Sequence, residues 1–578
     1  MTAALTEDAA VRHGYAAFWA PSHDAIALCE DVRPQRRAKE YAVKSGSSIS
    51  RRALISGGGA LGSLLAIPGA AGAGAVQPSA ATTPDEAPAT ASVYEAIGVR
   101  PLINARGTYT IISGSTMLPE VRAAMDAAAQ HYVHLDELTE AIGARLATLT
   151  GAEWGMVSNG CAAGLTLATA ACVAGGNPDL HVRLPNLSGF PRDEVLIPAH
   201  SRNVYDAALR SVGVRVVEVA TPAELEGSIG PRTALIYILA GPSADNSPMS
   251  VQAIAPLAKA RGVPILVDAA AEVLTIPNVH LQNGATLVAY SGGKCMRGPQ
   301  TAGLLLGRKD LVRAAWVHSA PHHGITRSLK VGKEDAIGML AAVEMWVRRD
   351  HAAEWKQWTA WLDHIDGRVR SIPGVTTAVI QPDGLSNKTP ALRVQWNREQ
   401  IGLGGDTVAR LLLDGTPRIA LDAARGGLQP GLTGVSITPY MLAAGEERII
   451  ADRLAGLLSK PPSQPAQAPP AKAAADLSGQ WTVRIQFAAA ASTHTLHLTQ
   501  RGNDLGGLHQ GEFKTREITG SIDGDAVRIR SAYGEQHGDA VSLTFAGKVS
   551  LDQMAGTLDM GEYLSATWTA SRRDGWRG

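Results

Sequence analysis

Asp268 and Lys294 stand 26 positions apart, each delivered by an apolar run. Val263-Pro264-Ile265-Leu266-Val267 leads into Asp268, and Ala285-Thr286-Leu287-Val288-Ala289-Tyr290 leads into Ser291-Gly292-Gly293-Lys294. A carboxylate and a lysine at the ends of two buried strands suit the chemistry of pyridoxal phosphate (PLP). The lysine amine condenses with the cofactor's aldehyde. The carboxylate keeps the pyridine nitrogen protonated, so the ring serves as an electron sink. Lys294 is also a candidate base.

Other residues complete the pattern. Val157-Ser158-Asn159-Gly160-Cys161-Ala162-Ala163-Gly164 joins an apolar approach to an Ala-rich segment. Small residues at a helix start let backbone N–H groups close on an anion, so Ser158, Asn159, Gly160 and Cys161 are candidate phosphate contacts. His200 ends another apolar run and is a candidate to stack on the ring; a hydrogen-bonding histidine is the plainer alternative. Ala270 is small enough to let the ring approach closely on its other face. Ser291 is a candidate phosphate donor, and Arg297 and Thr301 lie close enough beyond the lysine to do likewise.

The elements that must position these residues alternate in type. Short apolar strands are expected over 194–197, 214–219, 233–239 and 264–267, and amphipathic helices within 119–149. Strands alternating with helices indicate an α/β fold with a mainly parallel, doubly wound sheet. The expected organisation is an N-terminal extension over 1–92, a large cofactor-binding domain over 93–345 and a small domain over 346–458. A Pro/Ala-rich linker over 459–475 and an all-β domain over 476–578 follow. The last segment alternates apolar and polar residues in about eight short runs, which predicts a small antiparallel barrel or sandwich. Its His494, His497 and His509 are expected mainly on exposed strand faces. Gly511-Glu512-Phe513 and Gly561-Glu562-Tyr563 form a weak internal echo.

Five segments together resemble the selenocysteine-synthase-like branch of fold-type I PLP enzymes. They are Arg100-Pro101-Leu102-Ile103-Asn104-Ala105, the 157–163 loop, 267–272, 291–300 and Leu329-Lys330-Val331-Gly332-Lys333-Glu334. The branch includes L-seryl-tRNA(Sec) selenium transferase and D-glucosaminate-6-phosphate ammonia-lyase. The resemblance covers about 93–458. It implies a fold-type I large domain with a smaller α+β domain, a homodimer or higher homo-oligomer, and a site completed across the dimer interface. It makes Lys330 and Lys333 candidate anion-binding residues, and Arg418 a candidate for a substrate carboxylate. It implies a small-molecule amine substrate, an amino acid or amino-sugar acid, with ammonia-lyase elimination as the leading activity. Aminotransferase or selenium-transferase-like chemistry is the alternative. A non-catalytic binding protein on the same scaffold is the rival from another class, disfavoured by the intact Asp268 and Lys294.

The 578 residues are too many for one core. Lys plus Arg equals Asp plus Glu at 53 each, which argues against a nucleic-acid partner, since backbone contacts need a basic face. The four cysteines, Cys29, Cys161, Cys172 and Cys295, show no paired spacing, so neither a disulfide framework nor a metal site is read from them. Ser50-Arg51-Arg52 precedes a Gly/Ala/Leu run and a small-residue stretch ending at Ala75. That order reads as a twin-arginine export signal and an expected periplasmic location, without a stable membrane span. It occupies the place that a tRNA-binding region has in a selenium transferase.

Overall fold

The computed structural model describes residues 92–463, 469–532 and 542–573. The twin-arginine pattern and Cys29 lie outside the described residues. A first short strand, β1 (Leu102–Asn104), is followed by a seven-stranded sheet in the order β2-β8-β7-β6-β5-β3-β4. These strands are β2 (Trp154–Ser158), β3 (Glu194–Pro198), β4 (Arg215–Val219), β5 (Thr233–Leu239), β6 (Ile265–Asp268), β7 (Leu287–Ser291) and β8 (Gly303–Gly307). The pairs β4–β3, β3–β5, β5–β6 and β6–β7 are parallel, whereas β8 runs antiparallel to both β7 and β2.

Helices cover both faces, so the central strands read as unbroken apolar runs rather than as alternation. Val195, Leu196, Ile197, Leu235, Ile236, Leu266 and Val267 are all fully buried. The helical stretch expected within 119–149 is two helices, Pro119–Ala129 and Leu135–Thr150; Asp136 and Glu137 sit in the first turn of the second, where the helix dipole favours anions. Because β6 and β7 are parallel neighbours, with Asp268 opposite Ala289, both strands deliver their chemistry to one edge of the sheet. That carboxyl edge is where open α/β sheets hold ligands.

Helix Lys333–Arg348 packs Met339, Ala342, Val343 and Trp346 into the core of the large sheet. Helix His351–Val369 then starts the smaller lobe, capped by the Asp350 side chain, which accepts from the Ala353 N–H. Its antiparallel sheet has the order β12-β13-β10-β9, with β9 (Val375–Ile380), β10 (Ala391–Asn397), β12 (Asp422–Ala423) and β13 (Leu432–Ile437). A separate parallel pair joins β1 to β11 (Arg418–Ala420). Trp396, Leu392 and Val394 fill this lobe's core with Ile365, Ile450 and Leu454. Among the described residues no helix is long and apolar enough to cross a membrane.

The C-terminal strands form a closed eight-stranded antiparallel barrel, from β14 (Gly479–Gln486), β15 (Ala491–Arg501), β16 (Asp504–Gln510) and β17 (Thr515–Asp523) to β18 (Ala526–Ser531), β19 (Leu543–Ser550), β20 (Gln553–Asp559) and β21 (Ser565–Arg572). Closure leaves no free edge. Trp481, Trp568 and Phe545 fill the interior. One end is stoppered by residues 471–477, where Ala474 N donates to Gly524 O and Leu477 is fully buried.

The barrel histidines depart from expectation. His509 is inside, 1 % exposed, because its strand parity matches that of the inward Leu505. His494 Nδ1 lies 2.8 Å from His509 Nε2, and His509 Nδ1 lies 2.9 Å from Ser531 Oγ. Burial, helped by His494 and Arg516, pushes the His509 pKa down to about 3. A free histidine titrates near 6.5, so this depressed group contributes stability above pH 6.5 that is lost as pH falls toward 3. From pH 6 to pH 4 the loss is about 2 kcal/mol for one such proton. His509→Gln in the full chain should flatten the pH dependence of barrel melting; parallel wild-type and variant curves would refute the assignment.

Candidate active site

Asp268 ends β6 and is 2 % exposed. Its Oδ1 accepts the Ala270 N–H at 3.1 Å and the Cys161 thiol at 3.4 Å. Its Oδ2 accepts the Tyr237 hydroxyl at 2.9 Å. A carboxylate offers about four acceptor positions, so three donors leave room for one more. Burial raises the Asp268 pKa, while these hydrogen bonds and the Lys294 charge oppose that rise. Burial, reinforced by Asp268, also pushes the Cys161 thiol and the Tyr237 phenol well up, so both remain protonated donors.

The network reaches further. Tyr237 OH accepts from Asn203 Nδ2 at 3.0 Å, and the same amide donates to Ser201 O at 2.8 Å. Ser201 Oγ sits 3.0 Å from His200 Nδ1 and accepts from Leu239 N at 3.1 Å. The ends of β3, β5 and β6 are thereby tied into one polar chain. His200 is half-buried, and desolvation lowers its pKa. Its Nε2 is buried and has no hydrogen-bond partner among the described residues. Sequence reasoning missed Tyr237 and Asn203. Asn203 closes the Ala199-His200-Ser201-Arg202-Asn203 segment, whereas the Tyr237 hydroxyl is hidden in an apolar strand.

Lys294 follows β7 in a tightly folded turn. Gly292 N donates to Ala302 O at 2.8 Å, Arg297 N to Lys294 O at 2.9 Å, and Ser115 N to Gly293 O at 3.1 Å. A Cβ on Gly293 would fall 2.6 Å from Gln300 Cα, so this turn has no room for a side chain there. Among the described residues no hydrogen bond or ion pair ties the Lys294 amine.

The anion loop lies on the same edge. Asn159 precedes helix Gly160–Ala174 and makes no side-chain cap, so the first N–H groups of that helix stay available. A Cβ on Gly303 of β8 would lie 2.5 Å from the Gly160 carbonyl carbon, which shows how closely β8 supports the loop. Asn159 Nδ2 donates to Lys330 O at 2.9 Å, joining the loop to the 329–334 segment. Ser158 is fully buried, and its hydroxyl donates to Gly160 O at 2.8 Å, so it shapes the loop from below. Ala270 and Ser291 are half-buried at the ends of β6 and β7.

Several charged candidates are engaged elsewhere. Arg297 donates to Thr116 O at 2.9 Å and Thr116 Oγ1 at 3.0 Å, and Thr301 sits beside Asp335, opposing the rise that burial brings to that carboxyl. Lys333 pairs with Glu334, whereas Lys330 is exposed. Arg418 in β11 donates to Leu413 O at 2.9 Å and Arg100 O at 3.4 Å, so the structure does not bring it to the cluster. A concavity of about 730 Å3 by Lys259, Ile265 and Arg308 lies at the opposite edge of the sheet and includes none of the residues above.

The family model of class-V aminotransferases matches residues 196–330. D-glucosaminate-6-phosphate ammonia lyase of Salmonella typhimurium is 31 % identical over 374 residues, covering 63 % of this chain and 97 % of the relative. This chain is a fold-type I PLP enzyme of the selenocysteine-synthase-like branch. A solved structure of D-glucosaminate-6-phosphate ammonia-lyase matches this PLP enzyme with a TM-score of 0.57 and 30 % identity, covering 64 % of this chain and 98 % of that one. The L-seryl-tRNA(Sec) selenium transferase of Moorella thermoacetica is 27 % identical over 345 residues, 53 % of this chain and 66 % of the relative. A 5'-C-glycyluridine monooxygenase-decarboxylase of a Streptomyces species is 34 % identical over 301 residues, 50 % and 74 % of the two chains. PLP is the cofactor, and the enzyme is a PLP-dependent lyase or transferase. The residues present suit that group: a buried carboxylate with one acceptor position open, a lysine amine without a partner, and an orphaned His200 nitrogen on the same edge.

Proposed function

We propose that this enzyme is an ammonia-lyase acting on an amino acid or amino-sugar acid. The observation that carries the reading is the Lys294 amine, free of partners, on the same sheet edge as the triply hydrogen-bonded Asp268. The relationship to an ammonia lyase along 97 % of that relative's length supports it.

In this reading Asp268 would hold the proton of the pyridine nitrogen, and His200 and Ala270 would face the two sides of the ring. Backbone N–H groups of Asn159, Gly160 and Cys161, with the Ser291 hydroxyl, would hold the phosphate. Bound PLP supplies the sink for the electron pair left when a proton leaves the carbon bearing the amine. Lys294 anchors the cofactor and then takes that proton at its Nζ. The Tyr237 and Cys161 donors oppose the rise that burial brings to the Asp268 carboxyl. The β-substituent leaves with its bonding electron pair and is protonated as it departs; hydrolysis then yields one ammonia and one 2-keto acid per substrate beside that released group.

The test is a panel of amino acids and aminosugar acids with ammonia and keto acid both measured. Ammonia released without an added acceptor is the expected result. Product formed only in the presence of a keto-acid acceptor identifies a transaminase and overturns the lyase reading.

A further inference from the structure

A cavity of about 360 Å3 opens where the lysine turn meets the smaller lobe. Cys295, the residue after Lys294, lines it, and Trp346, Trp355, Trp358 and Tyr440 form its walls. The ring centroids of Trp358 and Tyr440 lie 6.2 Å apart, edge to face, and those of Trp355 and Trp358 lie 6.2 Å apart. Tyr440 is fixed from behind, its hydroxyl 2.7 Å from Thr108 Oγ1. Trp355 and Trp358 are only half-buried, so part of each indole faces the void rather than the core. A void beside such rings forfeits dispersion contacts that a flat apolar group would restore.

The charges around the cavity are unevenly matched. Arg349 pairs with Glu354 at 2.7 Å and donates to Cys295 O at 3.1 Å, while His351 Nδ1 lies 3.2 Å from Glu354 Oε2. Lys388 at the rim is exposed and makes no ion pair among the described residues. Its neighbour Asn387 is held at φ 45 by its N–H, which donates to Ala271 O at 2.8 Å. The lining thus offers flat apolar faces with one unmatched positive charge. A polyhydroxylated chain would lose water against the aromatic walls, and two of the polar groups beside them, Arg349 and Glu354, are already paired with each other.

We propose that this cavity receives the aromatic group of an amino-acid substrate whose β-carbon also carries the leaving hydroxyl, with an anionic group of that substrate at Lys388. The inference rests on Lys294 as the site of amine chemistry and narrows the substrate class. The probes are 3-phenylpropionate and gluconate, analogues of an aromatic amino acid and an amino-sugar acid that lack the amine. Their binding to the PLP-loaded enzyme is measured by calorimetry, so the result is independent of turnover. A failed ammonia assay would reject the lyase reading, whereas failed probe binding rejects this one.

The expected result is saturable binding of 3-phenylpropionate at least tenfold tighter than gluconate. Trp358→Ala should weaken it about tenfold or more, from the loss of a stacked ring face. Lys388→Ala, at an exposed position that leaves the fold untouched, should weaken it about three- to fivefold. No saturable binding, equal or tighter binding of gluconate, or an affinity unchanged in both variants overturns the assignment.

Discussion

Lys294→Ala is expected to abolish covalent retention of PLP and to lower turnover by at least about 10²–10⁴-fold, the range for removing a positioned proton-transfer group. Wild-type enzyme treated with borohydride should carry the cofactor as a fixed mass addition on the peptide containing Lys294. The alanine variant should carry none, although the proposed anion loop would still bind PLP reversibly. The fold should tolerate the change: the turn is held by backbone bonds through Gly292, Gly293 and Arg297, and no described partner loses a contact when the amine goes. Wild-type turnover in the variant, or a borohydride adduct on a different lysine, would remove Lys294 from the chemistry.

That lysine and its carboxylate were legible because strand ends announce themselves. An apolar run that stops at Asp268, and another that stops at a Gly-rich turn, fix both which edge is used and which residues stand on it. The α/β alternation followed from the same runs, because strands covered on both faces keep their apolar character end to end. The closed barrel was legible as about eight alternating strands, but its closure was not; sandwich and barrel share one pattern, and only the pairing of β14 with β21 decides between them.

Polar groups were harder to place, since a sequence shows a side chain but not its partner. Arg297 and Arg418 looked like anion binders, yet their guanidinium groups satisfy carbonyls of Thr116, Leu413 and Arg100. Cys161 was read as part of the phosphate loop through its backbone, and its thiol in addition faces Asp268. His509 looked like a surface residue because β16 contains Gly506 and Gly507, which blur the alternation that marks an inward position. Tyr237 was invisible for the opposite reason: it lies two residues before the end of a strand buried along its length, where an aromatic reads as core.

Asp268→Asn tests the electrostatic part of the site. The substitution keeps the shape and removes the charge that would hold a pyridine-nitrogen proton. Breaking a buried charge pair costs about 3–5 kcal/mol, so turnover should fall about 10²–10⁴-fold while the protein remains folded. Tyr237→Phe gives the finer test. The phenol is one of the hydrogen bonds that restrain the rise of the Asp268 pKa, so deleting it lets that pKa climb further. In the proposed function Asp268 acts as the anion, so activity should be lost as pH falls through its pKa. The acid limb of kcat/KM should therefore move to higher pH in Tyr237→Phe. Turnover at neutral pH should fall by about tenfold, as expected for losing one hydrogen bond to a charged group. Cys161→Ala should move the limb in the same direction by less, because a thiol is the weaker donor. A purely structural role for Tyr237 would lower stability and leave the position of the acid limb unchanged. Superimposable pH profiles for wild type and Tyr237→Phe would therefore show that the buried chain from Asn203 through Tyr237 does not tune Asp268.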